Sequence, residues 1–431
     1  FRAGRKDLPP PSAVIAIARQ TTNYRSGAFM VDPLLVAGVL IACFVAYNIG
    51  GSTTGPAFGP AVGANVLSKT WAGILMGGAF LVGAYTIGRR VVDTLGTDLV
   101  RDPSIFSLET SIIVLGFIGG ALLLGNLAGA PASTSMTAVG AIAGLGLATD
   151  ELNLAIIGEI LAWWILSPII GFWMAVMIGR YWYRQIDDLI AIRQTEGALI
   201  TIEQVDGLAR PTLGPNTTRR EFIGTTGLIG IGCLMAFSSG TSNIANAIAP
   251  LVGSGALAMD PAILIGCAAG AMGALTIARR TMETLGNDIT DLPLTAAIIV
   301  ALLSSTIVII LSALGIPASF VVVATVCIVG LGWGRSTHAV SIGEAVRGDV
   351  SPEVSLEALA GDERNAGSGE RGAQVSADTA SRRFVGSETA SPPHSDLFDP
   401  GTTVRVILMQ NVVPILATAG SYLTFTVLNA F

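Results

Sequence analysis

The chain has 431 residues, of which 51% are hydrophobic and only 13% are charged, and its formal net charge is −6. Its mean hydropathy is +0.67. Because soluble domains carry about a quarter charged residues, this composition excludes an ordinary soluble domain and predicts an all-α polytopic membrane protein. We therefore expect a lipid bilayer around it, a multi-pass location in the cell membrane, and no nucleic-acid partner.

In chain order, a polar leader, 1–30, precedes a first transmembrane repeat, 31–181. The long apolar runs of this repeat, each about the length that a bilayer crossing needs, are 31–47, 71–88, 110–129 and 153–179. Two shorter stretches, 50–67 and 131–148, are rich in small and polar residues, and they predict broken or re-entrant helices. The stretch 91–101 is amphipathic, and we expect it to lie at the membrane surface.

A polar linker, 182–221, separates this repeat from the first part of the second one, 222–333. The second repeat has its runs in the same order, at 222–239, 240–257, 261–278, 294–315 and 317–333. A hydrophilic, acidic insert, 334–402, follows, and its lack of apolar periodicity predicts disorder. The last transmembrane helix of the second repeat is predicted at 403–431.

The two repeats are copies of one another. Residues 50–63 align with 240–253 without a gap at an offset of 190, and 12 of the 30 positions in 71–100 and 261–290 are identical at the same offset. Interrupted hydrophobic segments at matching places in two halves indicate a transporter's substrate site. Parallel and inverted arrangements of the halves both stay open, because they depend on how many segments cross the bilayer.

Two elements of the sequence resemble the inorganic phosphate transporter (PiT) family. Residues 236–251, AFSSGTSNIANAIAPL, are similar to that family's signature GxNDxANAxG, and residues 131–135, PASTS, are similar to its later Pro-x-Ser-Thr-Thr-His element. The resemblance covers both repeats, but not the leader, the linker or the insert. It implies a helical fold with pseudo-symmetric, inverted-topology repeats and a substrate site at the pseudo-twofold interface between them.

The sequence departs from the family pattern mainly by losing carboxylates. The family's acidic and histidine positions correspond here to Thr53, Asn243, Met136, Phe80 and Gly270. Most of the carboxylates that would hold a coupling cation or share a proton are therefore missing.

The candidate substrate-binding residues are neutral hydrogen-bond donors. They are Ser52, Thr53, Thr54, Ser133, Thr134, Ser135, Ser242, Asn243, Asn246 and Ser319. A tetrahedral oxyanion needs such donors in a dry cavity, and helix N-termini add free N–H groups and a positive dipole end. Asn246 keeps the signature's amide whereas its counterpart is Pro56, so we expect the second repeat to supply more of the anion contacts.

The leading functional hypothesis is a secondary transporter that moves inorganic phosphate or a similar oxyanion by alternating access. Na⁺ or H⁺ is the candidate coupling ion, and neutral hydroxyl, carbonyl and amide oxygens could coordinate Na⁺. The alternatives are a permease for another anion such as sulfate, and a non-transporting scaffold or sensor derived from a transporter. Polar donors retained at the repeat interface favour transport, whereas a collapsed, dry interface favours a scaffold.

No nucleophile–base set, nucleotide-binding loop or metal-ligand cluster is visible in the sequence. We therefore expect neither an enzyme activity nor a bound cofactor or metal, apart from Na⁺ as a coupling ion. The expected partners are the transported oxyanion and lipid, and association of several copies into a homo-oligomer stays open.

Overall fold

The computed structural model describes residues 32–63, 66–127, 133–190, 200–205, 208–213, 219–288, 294–337 and 400–429. Within these ranges, eight helices are long and apolar enough to cross a bilayer. Two further apolar helices have 15 and 17 residues, fewer than the roughly 20 that a crossing needs. The multi-pass membrane architecture, helical in all of its candidate membrane spans, confirms the predicted fold class and location. The leader 1–30 and most of the insert 334–402 lie outside the described residues.

The described part of the first repeat consists of five helices in succession. They are α1 Pro33–Gly63, α2 Lys69–Asp98, α3 Leu108–Leu127, α4 Thr134–Ala148 and α5 Leu154–Tyr181. Two turns of α2, Ala84–Gly88 and Thr94–Asp98, are π-helical, and a short 3-10 turn, Pro103–Ile105, leads into α3.

The predicted linker contains local structure that the sequence analysis did not anticipate. Helix α6, Tyr183–Ile190, follows α5 directly. The strands β1, Ile200–Val205, and β2, Leu208–Leu213, then form an antiparallel hairpin in which Ile200 is paired with Leu213.

The second repeat has the same succession of helices. They are α7 Arg219–Gly253, α8 Met259–Asp288, α9 Leu294–Ala313, α10 Phe320–Ser336 and α11 Pro400–Asn429. The short helices α4 and α10 hold corresponding places in the two repeats, and each begins directly after a serine cap.

The prediction that the backbone is broken within 50–67 and 240–257 is wrong, because α1 remains helical up to Gly63 and α7 up to Gly253. The prolines that these two helices contain are Pro56, Pro60 and Pro250. Proline is tolerated inside a transmembrane helix when hydroxyl side chains and neighbouring helices compensate for the lost backbone hydrogen bond. The small and polar residues of these stretches therefore mark close helix packing rather than interruption.

Most of the amphipathic stretch 91–101 is a continuation of α2, and its place at the membrane surface stays a prediction. Helix α2 continues to Asp98, and the side chains of Val91, Val92 and Leu95 in its last turns, and of Leu99 directly after it, are completely buried. A Cβ atom on Gly96 would lie 2.8 Å from the carbonyl oxygen of Ala249 in α7. The amphipathic pattern is real, but its apolar face packs against another helix of the protein instead of against lipid.

The two repeats are interlocked, because helices of the first repeat pack on helices of the second. Helix α1 packs on α8, and α2 packs on α7. A Cβ atom on Gly50 would overlap the carbonyl oxygen of Gly270, and one on Gly240 would overlap that of Phe80. Gly240 and Gly270 follow Gly50 and Phe80 by the same 190 positions. Only glycine allows backbones to approach this closely. The sequence duplication is therefore also a duplication of backbone contacts.

Two further pairs of helices pack across the repeats, since α5 packs on α10 and α4 packs on α11. This packing brings the starts of both short helices to the interface between the repeats. The inverted orientation of the two repeats in the membrane remains a prediction.

Candidate functional site

A small cavity lies where α1, α7 and the starts of α4 and α10 meet. Its wall is formed by Ser52, Thr53, Pro56, Ala57, Thr134, Met235, Ser239, Asn243, Ser319, Phe320 and Val321. The cavity volume is about 30 Å³, which leaves space for only a few water molecules. Segments from four distant parts of the sequence thus contribute to one site.

The start of α4 is joined to α7 by a chain of hydrogen bonds. Ser133 caps α4, because its Oγ accepts a hydrogen bond from the Met136 backbone N–H at 3.3 Å. Thr134 Oγ1 donates to Asn243 Oδ1 at 2.8 Å, and Asn243 Nδ2 donates to Ser239 Oγ at 2.8 Å. An amide nitrogen carries two hydrogens, so Asn243 has a second N–H that it can offer to a ligand in the cavity.

A second polar cluster lies behind the cavity wall and is buried. Ser135 Oγ and Ser242 Oγ both donate to the carbonyl oxygen of Ala318 at 2.9 Å, and they lie 3.3 Å from each other. The Ala318 backbone N–H donates to Ser242 Oγ at 3.1 Å. Asn246 Nδ2 donates to Ser135 Oγ at 3.4 Å, whereas Asn246 Oδ1 has no hydrogen-bond partner in the part of the chain that the structure describes. This cluster fastens α4 and α7 to the segment that precedes α10.

The hydroxyl groups of α1 bond within their own helix. Ser52 Oγ and Thr53 Oγ1 donate to the Ile49 carbonyl oxygen at 3.0 and 2.8 Å. Because a hydroxyl group rotates about its C–O bond, both side chains can redirect their O–H toward an anion in the cavity. Thr54 is completely buried and donates to the Gly50 carbonyl oxygen at 2.6 Å, away from the cavity wall.

The start of α10 is less polar than the start of α4. Ser319 caps α10 by accepting a hydrogen bond from the Val322 backbone N–H at 3.4 Å. Phe320 and Val321 follow, at the positions that a threonine and a serine hold in α4. The second short helix therefore contributes one hydroxyl group and two apolar side chains to the cavity.

The cavity wall contains no ionised side chain. Two helix N-termini reach the cavity, and each brings backbone N–H groups and a positive dipole end. Among the residues that the structure describes, no three or more His, Cys, Asp or Glu side chains are grouped so that they could hold a metal ion. A neutral cavity with hydroxyl and amide donors and two positive helix ends favours an anion.

Five of the ten predicted binding residues line the cavity, namely Ser52, Thr53, Thr134, Asn243 and Ser319. The other five are buried beside it and hydrogen-bond to other protein groups, namely Thr54, Ser133, Ser135, Ser242 and Asn246. The sequence analysis missed Ser239, which lines the wall and accepts the Asn243 amide. Its place one helical turn before Asn243 puts both on one helix face, and that spacing could have revealed it.

A multi-pass helical fold whose two halves exchange helices around an internal polar cavity is a membrane-transporter architecture. A solved structure of a sodium-dependent phosphate transporter has the same fold, with a TM-score of 0.63 and 16% sequence identity. The match covers 92% of this chain and 99% of that one. Residues 49–350 also match the model of the phosphate transporter family, and the chain belongs to that family. Both the family and the fold are those of transporters rather than enzymes.

Similar proteins are named for two different oxyanions. Sulfate permease CysP of Bacillus subtilis is 29% identical over 303 residues, which cover 70% of this chain and 78% of that protein. A candidate phosphate permease of Pyrococcus furiosus is 25% identical over 381 residues, which cover 73% of this chain and 90% of that protein.

Proposed function

We propose that this protein is a secondary transporter that moves inorganic phosphate, or a similar tetrahedral oxyanion, by alternating access between its interlocked repeats. The cavity at the repeat interface carries this proposal. Residues from both repeats line it with hydroxyl and amide donors, and it contains no carboxylate that would repel an anion. Membership of the phosphate transporter family and the transporter fold support the same function.

The hydrogen bonds around the cavity support a movement between the repeats. Thr134 belongs to the first repeat and Asn243 to the second, and their hydrogen bond joins the two repeats at the cavity wall. A cavity of about 30 Å³ has to widen before it admits a hydrated oxyanion. We expect the anion to replace the Thr134–Asn243 bond, because both side chains can then donate to its oxygens.

Na⁺ is the favoured coupling ion in this proposal, since no ionisable side chain on the cavity wall is available to carry a proton. Asn246 Oδ1 is a buried oxygen without a hydrogen-bond partner among the described residues, and Nδ2 of the same side chain donates to Ser135 Oγ. Carbonyl and hydroxyl oxygens are suitable ligands for a hard cation. We therefore propose Asn246 as a Na⁺ ligand rather than as an anion ligand.

Sulfate is the second candidate substrate, and the missing carboxylates favour it. Inorganic phosphate retains a proton at neutral pH, and a carboxylate can accept that proton in a hydrogen bond. Sulfate is fully deprotonated and only accepts, so a wall composed of donors satisfies it without a carboxylate. The similarity to a sulfate permease points in the same direction.

The test is uptake of labelled phosphate and labelled sulfate into proteoliposomes, with Na⁺ and pH gradients imposed independently. We expect saturable, Na⁺-dependent uptake of phosphate. Competition by unlabelled sulfate will show how strongly the site discriminates between the two anions. Liposomes without protein and a folded Asn243→Ala variant are the controls. If folded wild-type protein takes up neither anion under any gradient, the transport proposal is wrong and the scaffold alternative gains support.

A further inference from the structure

A second cavity adjoins the candidate anion site on one side and has a different chemistry. It lies among α1, α7, α9 and α10, has a volume of about 120 Å³, and is lined entirely by apolar residues. Four residues, Pro56, Ala57, Met235 and Phe320, belong to the walls of both cavities. These residues therefore form the boundary between the polar site and the apolar cavity.

The corresponding region on the other side of the repeat interface is tightly packed. Ala324 and Ile328 line the apolar cavity, whereas their counterparts at an offset of 186, Ala138 and Ile142, are completely buried. In the same region Ser111 Oγ donates to the Pro250 carbonyl oxygen at 2.7 Å. The two sides of the anion site are therefore unequal in packing.

The two sides also differ in what closes them. On the packed side, Thr134 donates to Asn243, and a hydrogen bond of this kind has to break before an anion can pass. On the apolar side, Phe320 holds the position equivalent to Thr134 and offers no hydrogen bond. An apolar constriction excludes an ion by remaining free of water, even where the packing is loose.

We propose that the apolar cavity is the inner end of the passage that connects the anion site to one membrane face, and that Phe320 is its gate residue. This inference rests on the proposed transport function and adds that the two gates differ chemically, one hydrogen-bonded and one hydrophobic. The passage opens when water enters between Phe320 and Met235, and it closes again when the apolar side chains exclude that water.

Cysteine accessibility tests the passage without requiring transport. In a background whose four native cysteines are replaced by alanine, Ala324→Cys and its counterpart Ala138→Cys are treated with a membrane-impermeant maleimide from either face of proteoliposomes. We expect Ala324→Cys to react from one face only and about tenfold faster than Ala138→Cys, because an extra opening cost of about 1.4 kcal/mol slows labelling tenfold. Equal labelling of both positions, or no labelling of Ala324→Cys from either face, overturns the proposal that the apolar cavity is part of a passage.

A leak measurement tests the gate. Phe320→Thr places the α4 residue type at the equivalent position in α10, and we expect it to let water in and to increase efflux of preloaded phosphate without an ion gradient. Phe320→Leu keeps the constriction apolar, so its leak should stay at the wild-type level. If Phe320→Thr leaks no faster than Phe320→Leu, Phe320 is not the gate. Uptake by the wild-type protein tests the transport proposal separately. Failure of the gate proposal can therefore be distinguished from failure of the transport proposal.

Discussion

The two copies of the duplicated segment, 50–63 in α1 and 240–253 in α7, have the same packing but different chemistry. Both copies approach a neighbouring backbone through the same glycine, Gly50 or Gly240. In α1 the hydroxyl groups bond within their own helix, whereas in α7 the amide of Asn243 bonds across the interface to α4. The duplicated scaffold has therefore kept its backbone contacts and changed the groups that it presents to the cavity.

The largest effect is expected from Gly240→Ala. A large loss of stability in this variant would show that the fold depends on the backbone contact between Gly240 and Phe80. The added methyl group meets the Phe80 backbone, which cannot rotate away, so we expect a loss of about 3 kcal/mol or more in the free energy of unfolding. Gly230→Ala in the same helix is the control, because its Cβ would meet no atom of the described residues within 4 Å. Thermal unfolding of both variants in detergent is the measurement, and equal stability would contradict the packing argument.

The next effect concerns the amide that distinguishes α7 from α1. Asn243→Ala removes a donor to a buried anion, and hydrogen bonds to charged groups are worth about 1.5–3 kcal/mol. We expect the apparent affinity for the transported anion to fall about ten- to hundredfold. The control is Thr54→Ser, which alters a buried hydroxyl residue that does not line the cavity. An unchanged affinity in folded Asn243→Ala protein would place the anion site elsewhere.

A smaller and different effect is expected at Asn246, which lies behind the cavity wall. Asn246→Ala should raise the Na⁺ concentration for half-maximal uptake about tenfold, by losing a ligand worth about 1.4 kcal/mol. Its anion affinity at saturating Na⁺ should change less than that of Asn243→Ala. The opposite pattern, with lost anion affinity and unaltered Na⁺ dependence, would restore the signature-based assignment of Asn246 to the anion.

The smallest effect is expected at the ion pair between Arg89 of α2 and Asp260 of α8. The position equivalent to Asp260 in the first repeat is Thr70, so the pair has no charged equivalent there. Because both side chains are partly solvent-exposed, Asp260→Asn should reduce the free energy of unfolding by less than about 1 kcal/mol. A larger loss, measured at low and high salt, would show that this pair holds the repeats together.

The helical membrane fold could be predicted from the sequence because long apolar runs leave few alternatives in a bilayer. The breaks in α1 and α7 were predicted wrongly, since a run of glycine, proline and serine looks the same whether a helix ends or is closely packed. What distinguishes the two cases is the neighbouring backbone, such as Gly270 beside Gly50, and that contact is 220 positions away in the chain.

The candidate site could be predicted only to within a helical turn. The two family-like elements indicated the parts of α7 and α4 that border the cavity, but they did not separate Asn243, which lines the cavity, from Asn246, which lies behind the wall. These residues are three positions apart, and only the packing of α4 and α10 decides which one reaches the cavity. Ser239 was missed because it lies directly before Gly240, the residue that matches the first glycine of the signature.

The glycine contacts between the repeats also have a consequence for biosynthesis. Gly50 packs against Gly270, which the ribosome adds 220 residues later. At about 5–20 residues per second this separation corresponds to roughly 11–44 s. During that time the glycine-lined face of α1 has no partner helix, and it has to be shielded by lipid or by the insertion machinery. The first repeat therefore acquires its native packing only after α8 has been made.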